Sequence, residues 1–215
     1  MQLTTPRNLA VVGLIGLVIH LAARAIGPHE LEFISKLIPV SCMMLWISHQ
    51  AGRYAKLILV GLGLSLLGDA LLAWSPSQFI GGLVAFLCAH VCYVMAFVQA
   101  NRKARIVRLL PILLWLGAIF AVLYPTLGVM AAPVAAYVLV IGAMLWRAIA
   151  LVEQPAERWQ LAAAAGALLF GISDSVLAIN KFHTEFAAAG YIVMLTYWAG
   201  QWGIARSVFR EQAGN

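Results

Sequence analysis

The chain has 215 residues, of which 63% are hydrophobic and only 10% are charged, and its mean hydropathy is +0.93. Soluble domains are about 45–50% apolar, so this composition excludes an ordinary soluble protein and predicts one integral membrane domain over residues 1–215. The net charge of +6 does not indicate nucleic-acid binding. The basic residues flank apolar segments, where they fit anionic lipid and topology signalling better.

Eight apolar segments follow one another along the chain, each close to the ~20 residues that a transmembrane helix needs. Turn and interface residues such as Gly27-Pro28, Trp74-Ser75 and Tyr124-Pro125 separate them. The first segment follows no small-residue cleavage site, so we interpret it as a retained span. The pattern predicts an all-α membrane protein with eight transmembrane helices at approximately 8–27, 33–49, 55–74, 79–99, 106–124, 129–150, 160–180 and 185–206.

The basic residues divide unequally between the two sides that these spans define. One side would hold Arg7, Arg53, Lys56, Arg102, Lys103, Arg105, Arg108, Arg147, Arg158, Arg206 and Arg210, and the other would hold Arg24, Lys36 and Lys181. Loops rich in Lys and Arg face the cytoplasm. We therefore predict that both termini are cytoplasmic and that the protein crosses the inner (plasma) membrane several times.

Two aspartates lie inside apolar spans. Asp69 is in the third span and Asp174 is in the seventh. A carboxylate in a membrane helix costs about 2.5–3.5 kcal/mol on insertion scales, so such residues usually have a function or a partner. The two spans run in the same direction, which places both carboxyls about 7–9 Å inside the outer boundary at 1.5 Å per residue. This common depth predicts a shared site.

A short repeat surrounds the two aspartates. Asp69-Ala-Leu-Leu-Ala73 is similar to Asp174-Ser-Val-Leu-Ala178. The repeat predicts two four-helix halves, spans 1–4 and 5–8, related by an axis along the membrane normal. The alternative interpretation of each aspartate is an interhelical hydrogen bond with no role in chemistry.

Several polar residues accompany the aspartates at helical spacing. His90 could carry protons, and Lys36 could pair with an aspartate or bind an anionic headgroup, but either could equally be a packing or snorkelling residue. The other candidate residues could likewise have a purely structural role. The candidate binding or orienting residues are Lys36, Ser65, His90, Tyr93, Ser173, Tyr197 and Gln201.

The sequence lacks the motifs of several enzyme classes. It has no His-Glu-x-x-His or His-x-x-Glu-His zinc motif, no Gly-x-Ser-x-Gly elbow and no Gly-x-x-x-x-Gly-Lys nucleotide loop. Cys42, Cys88 and Cys92 lie in apolar segments, and we interpret them as packing residues because their spacing offers no ligand set. We predict no cofactor and no metal site.

Four motifs follow one another along the chain: Leu67-Gly68-Asp69-Ala70-Leu71-Leu72, Phe86-Leu-Cys-Ala-His90-Val-Cys-Tyr93, Gly166 to Ser175, and Thr196-Tyr197-Trp-Ala-Gly-Gln201. With these motifs the chain resembles the YhhN family of multispanning membrane proteins. Lys36-Leu-Ile-Pro39 is similar to the family's Lys-Pro-Leu-Pro element, with Leu in place of the first Pro. The resemblance covers nearly the whole chain.

Membership of this family implies lysoplasmalogenase activity, which hydrolyses the vinyl ether bond of a lysoplasmalogen to a fatty aldehyde and a glycerophospho-headgroup. The resemblance places the family's two functional aspartates at Asp69 and Asp174. Such a reaction suits one neutral carboxylic acid and one ionised carboxylate, as in glycoside hydrolysis. His90, Tyr93, Tyr197 and Gln201 would orient groups or relay protons, and Lys36 would bind the headgroup phosphate of the lysophospholipid.

Two other functions use the same residues. A proton-coupled transporter or lipid flippase would employ the aspartates and His90 as proton relays. A structural or assembly protein would use the aspartates only to hold helices together. Transport driven by a pH gradient without covalent turnover would favour the first alternative, and retained function with Asn at both positions would favour the second.

Overall fold

The computed structural model describes residues 5–210, which fold into eight α-helices without any strand. The helices are α1 (Pro6–Ile26), α2 (His29–Ile47), α3 (Arg53–Trp74), α4 (Phe79–Ala100), α5 (Leu110–Leu127), α6 (Ala131–Leu151), α7 (Arg158–Phe182) and α8 (Ala189–Arg206). Short 3₁₀ turns occur at Pro76–Gln78, Ile106–Leu109 and Gly128–Met130. Each predicted span overlaps one helix, so the all-α prediction is confirmed.

Three helix starts differ noticeably from the prediction, those of α2, α5 (Leu110 against the predicted 106) and α8. α2 begins at His29, and its first turn carries Glu30 and Glu32, where carboxylates interact favourably with the positive end of the helix dipole. α8 begins only at Ala189. The segment before it is a turn in which the Asn180 side-chain oxygen accepts a hydrogen bond from the Phe186 backbone N–H at 3.0 Å.

Five helical stretches in the described range are long and apolar enough to cross a membrane. They are Pro6–Ile26, Arg53–Trp74, Phe79–Ala100, Ile106–Leu151 and Arg158–Phe182, and the fourth contains both α5 and α6. These stretches support the prediction of a membrane protein. The count of eight crossings and the cytoplasmic location of the termini stay predictions.

Within residues 5–210, the helices group into two compact units that divide between Cys92 and Tyr93. The boundary lies within α4, whereas the predicted four-helix halves would divide in the loop after it. In the first unit α2 packs against both α1 and α3. In the second unit α6 packs against α5 and α7, and α7 packs against α8.

Glycines bring α7 and α8 into backbone contact. A Cβ atom added at Gly166 would lie 2.7 Å from the Gly200 carbonyl oxygen and 2.7 Å from the Ile204 nitrogen. A Cβ atom at Gly203 would meet the Ala162 carbonyl oxygen at 2.8 Å. Small residues permit this close approach of two membrane helices. The packing fixes the position of α7, the helix that carries Asp174.

Candidate active site

Asp69 lies on the buried face of α3. Gly61, Ser65 and Gly68 are buried on the same face, as the i, i+4, i+7 spacing predicts. Asp69 itself is only 2% exposed. Gly68 allows Phe86 of α4 to lie directly against the helix, because a Cβ atom there would be 2.6 Å from the Phe86 ring. The carboxyl of Asp69 is therefore held inside the first unit.

Lys36 on α2 forms an ion pair with Asp69. The distance from its Nζ to Asp69 Oδ1 is 3.2 Å, and the two side chains are 14% and 3% exposed. The packing of α2 against α3 brings these residues together. Of the two roles predicted for Lys36, pairing with an aspartate is observed, and headgroup binding stays a prediction. A buried ion pair of this kind favours the ionised form of the carboxyl.

Asp174 lies on α7 in the second unit and is half-buried. The preceding residue, Ser173, is buried, and its hydroxyl donates to the Val193 backbone carbonyl at 3.0 Å. Ser173 therefore ties α7 to the next helix in sequence, beside Asp174. This contact supports a structural role for Ser173, which was one of the interpretations that the sequence left open.

Tyr137 on α6 donates a hydrogen bond to Asp174. The distance from its hydroxyl oxygen to Asp174 Oδ2 is 2.6 Å. This distance is at the short end of the range for a hydrogen bond between two oxygen atoms. Sequence reasoning missed Tyr137, because a single tyrosine in an apolar helix resembles a packing residue. The sequence did offer one signal, the depth of Tyr137 along its helix. Tyr137 lies six residues after the start of α6, and Asp174 lies eight residues before the end of α7, so two antiparallel helices would bring them to a similar level.

A model of the YhhN family matches residues 31–208 of the chain. The chain belongs to the YhhN family. It is 38% identical over 179 residues to human lysoplasmalogenase TMEM86B, covering 82% of this chain and 74% of the relative. It is 36% identical over 197 residues to bovine lysoplasmalogenase TMEM86A, covering 86% and 81%.

A bacterial relative extends the comparison. A lysoplasmalogenase of Mycobacterium tuberculosis is 29% identical over 164 residues, which cover 72% of this chain and 61% of that protein. No solved structure matches the chain. The resemblance predicted from the motifs around Asp69, His90 and Asp174 is thus confirmed at the level of the family.

A second polar cluster of this YhhN protein lies in its second unit. The Tyr93 hydroxyl donates to Gln201 Oε1 at 2.8 Å, and neither residue is exposed. Tyr197, one turn before Gln201, is 3% exposed, and its ring stacks edge-on against Phe170 with 5.3 Å between centroids. The structure brings Tyr93 and Gln201 together, which sequence spacing alone had not linked.

Two further predicted residues lie in the first unit. His90 on α4 and Ser65 on α3 are both fully buried. Ser65 lies one helical turn before Asp69 on the same face of α3. Within residues 5–210, His, Cys, Asp and Glu side chains form no group of three with the geometry of a metal site.

Proposed function

We propose that this YhhN protein is a lysoplasmalogenase that uses Asp69 and Asp174 as its catalytic carboxyls. The family match and the relatives named lysoplasmalogenase support the activity. The observation that carries the proposal is the presence of two carboxyls in apolar helices, each held by a different partner. One partner of Asp69 is an ammonium group, and one partner of Asp174 is a phenol.

The reaction needs one proton donor and one group that handles water. Protonation of the alkenyl carbon distal to the ether oxygen produces an oxocarbenium ion. Water then adds to the other alkenyl carbon and loses a proton, which gives a hemiacetal. The hemiacetal collapses to a fatty aldehyde and the free glycerol hydroxyl, so one water is consumed in total. General acid–base groups contribute about 10²–10⁴-fold to such steps.

The partners of the two carboxyls suggest their roles. Asp69 lies 3.2 Å from the Lys36 ammonium, which stabilises an ionised carboxylate that can accept the proton of water or stabilise the cation. Asp174 receives a hydrogen bond on Oδ2 from the Tyr137 hydroxyl, which stabilises the negative charge that develops on this carboxyl as it gives up a proton. Asp174 is therefore proposed as the acid and Asp69 as the ionised partner.

The substrate and the location follow from the same chemistry. An alkenyl lysophospholipid would enter from the bilayer, because Asp69 and Asp174 lie on helices apolar enough to cross a membrane. We propose the inner (plasma) membrane, with cytoplasmic termini and both carboxyls toward the outer face. Tyr93, Tyr197, Gln201 and His90 would shape the polar interior, and Lys36 would act through Asp69.

Aldehyde release from an alkenyl lysophosphatidylethanolamine tests the proposal. Purified protein in detergent should release aldehyde, and Asp69→Asn and Asp174→Asn should each lower kcat by about 10²–10⁴-fold. Glu185→Gln is a matched control, because it removes an exposed carboxylate and should retain full activity. Thermal unfolding of each variant confirms that it is folded.

Two outcomes would contradict the proposal. Full aldehyde release by both Asn variants would remove the carboxyls from the mechanism. Absence of any aldehyde with the wild-type protein, together with lysolipid uptake into liposomes driven by a pH gradient, would favour a transporter. The double variant tests whether the two carboxyls serve one reaction, since residues that act as a unit give non-additive losses.

A further inference from the structure

Residues 101–110, here called the basic loop, are held in place by two side chains of opposite charge. Arg147, 5% exposed near the end of α6, donates to the backbone carbonyl of Lys103 at 3.1 Å. Glu153 accepts from Lys103 Nζ and from Arg105 Nη2, each at 3.1 Å. The loop is therefore a fixed platform rather than an extended linker.

The basic loop concentrates positive charge. It contains Arg102, Lys103, Arg105 and Arg108 and no acidic residue. Glu153 offsets one of these charges. Arg108 donates to the backbone carbonyls of Ile149 and Val152 at 2.6 and 2.8 Å, so its charge faces the end of α6 and not a carboxylate. The loop thus keeps a surplus of cations in a fixed arrangement.

Exposed aliphatic side chains interrupt this positive surface. Ile106 and Val107 are 72% and 88% exposed, and the Lys103 side chain is 72% exposed. Apolar residues between cations are typical of segments at the membrane interface, where the apolar groups enter the acyl boundary and the cations reach phosphates. An aqueous partner would not require two adjacent exposed aliphatic residues in the middle of a basic sequence.

The basic loop is distant from Asp174. The Glu153 backbone N–H donates to Gln160 Oε1 at 3.2 Å, so the first turn of α7 lies beside the group that anchors the loop. Asp174 is fourteen residues further along α7, which corresponds to about 21 Å. In a lysophospholipid only the glycerol backbone separates the phosphate from the ether bond. A phosphate at the loop therefore belongs to a lipid other than the one being hydrolysed.

We propose that the basic loop binds the phosphate of an anionic phospholipid from the surrounding leaflet. Arg102 and Lys103 supply the exposed charges, and Ile106 and Val107 anchor the loop among the acyl chains. The bound lipid stabilises the second unit without taking part in vinyl ether hydrolysis. The binding of this lipid does not depend on the catalytic activity, whereas the conclusion that it is not the substrate rests on the proposed function.

Phosphatidylglycerol and phosphatidylcholine are the probes for this site. The full-length protein in nanodiscs should unfold at a higher temperature with phosphatidylglycerol present than with phosphatidylcholine alone, because a ligand of the native state stabilises it. Molar salt should remove the difference, since it screens exposed charges. Native mass spectrometry of the wild-type protein should show preferential retention of phosphatidylglycerol. Equal effects and equal retention of the two lipids would overturn the proposal.

Variants locate the site. Arg102→Gln with Lys103→Gln should weaken phosphatidylglycerol affinity by about 30-fold, since each removed charge contributes roughly a factor of five. The control, Arg53→Gln with Lys56→Gln, removes two exposed cations from the start of α3 and should keep the affinity. An equal loss in this control would mean diffuse attraction and would overturn the site. So would inorganic phosphate that reproduces the stabilisation, because the site would then take a free anion.

Discussion

Asp69 and Asp174 occupy similar positions in sequence but have different surroundings. In the first unit, Asp69 is 2% exposed and meets the ammonium of Lys36 at 3.2 Å. In the second unit, Asp174 is half-buried and meets the hydroxyl of Tyr137 at 2.6 Å. The short repeat around the aspartates does not extend to their partners. The contact described for Asp69 is with a full charge, and the contact described for Asp174 is with a hydroxyl dipole.

This difference gives the two carboxyls different sensitivities to mutation. A buried ion pair is strongly destabilised when one partner is removed, because the other charge is left without compensation. Removal of a neutral hydroxyl donor does not take a counter-charge away from its partner. Loss of Lys36 should therefore affect folding and activity together, whereas loss of Tyr137 should affect mainly activity.

The largest expected effect is that of Lys36→Met. The variant leaves the Asp69 carboxylate buried without its cation, which should lower the free energy of unfolding by about 3–5 kcal/mol. Thermal unfolding in detergent measures the loss, and aldehyde release should fall as well. Lys56→Met on α3 is the control, because Lys56 is exposed and its loss should change neither quantity.

A double variant sharpens the comparison. Lys36→Met with Asp69→Leu replaces the ion pair by apolar groups, so much of the lost stability should return while activity stays absent. An unchanged melting temperature for Lys36→Met alone would show that the ion pair does not hold α2 against α3. Recovery of activity in the double variant would exclude Asp69 from the reaction.

The next effect in size is that of Tyr137→Phe. Asp174 becomes charged as it gives up its proton, and a hydrogen bond to a charged group contributes about 1.5–3 kcal/mol. If the bond serves catalysis, kcat should fall by about 10–100-fold while KM and the melting temperature change little. Steady-state kinetics on the alkenyl lysolipid measure this division. Tyr124→Phe, which removes a hydroxyl from a tyrosine that is 60% exposed, is the control.

Tyr137 should act only through Asp174. Adding Tyr137→Phe to Asp174→Asn should therefore cause no further loss, because the hydrogen bond has lost its catalytic acceptor. A further tenfold drop in the double variant would indicate an independent role for the phenol. A change in KM alone would make Tyr137 a substrate contact instead of a positioning residue.

The helices were predictable because hydropathy and turn residues mark them directly. The start of α5 was not, since Ile106 and Val107 look like the beginning of a span. The helix proper begins at Leu110, after a 3₁₀ turn, and Pro111 occupies its first turn. Proline is favoured at such a position because its missing N–H would have no helical partner there. Pro111 was thus the better signal for the boundary.

The carboxyls of the candidate site were predictable and their partners only in part. An aspartate in an apolar span is visible in sequence because of its cost, and the depth of Lys36 suggested a pairing. Tyr137 and the Tyr93–Gln201 hydrogen bond depend on which faces of distant helices meet. Hydropathy does not encode these contacts, since α6 and α8 are almost uniformly apolar around them.

A smaller effect concerns the packing that positions α7. Gly166→Ala would place a Cβ atom 2.7 Å from backbone atoms of Gly200 and Ile204, and neighbouring backbone cannot yield as a side chain can. Overpacking of this kind costs about 1–3 kcal/mol. The melting temperature should fall, and aldehyde release should fall as well, because a shift of α7 displaces Asp174. Gly117→Ala, where the added Cβ atom meets no atom within 4 Å, should leave stability unchanged.

The smallest effect is expected at Glu153, a carboxylate near the protein surface that contrasts with the two aspartates in apolar helices. Hydrogen bonds from Lys103 and Arg105 lower the pKa of Glu153 below its usual value. Its contribution to stability is therefore complete above the unfolded-state pKa of about 4.3 and is lost as the pH falls through the lower folded-state value. Glu153→Gln should melt slightly below the wild type at neutral pH, and the two curves should converge in acid.

The effect of salt on stability distinguishes the exposed ion pairs of Glu153 from the buried Lys36–Asp69 pair. The Glu153 side chain is 38% exposed and that of Asp69 is 3% exposed. Counter-ions screen exposed charges far more than buried ones, so molar salt should remove the difference between the wild type and Glu153→Gln. The same salt should leave the Lys36→Met defect nearly unchanged. If salt relieved both defects equally, the Lys36–Asp69 pair would be accessible to water in solution, and the proposed role of Asp69 as a buried, ionised carboxylate would fail.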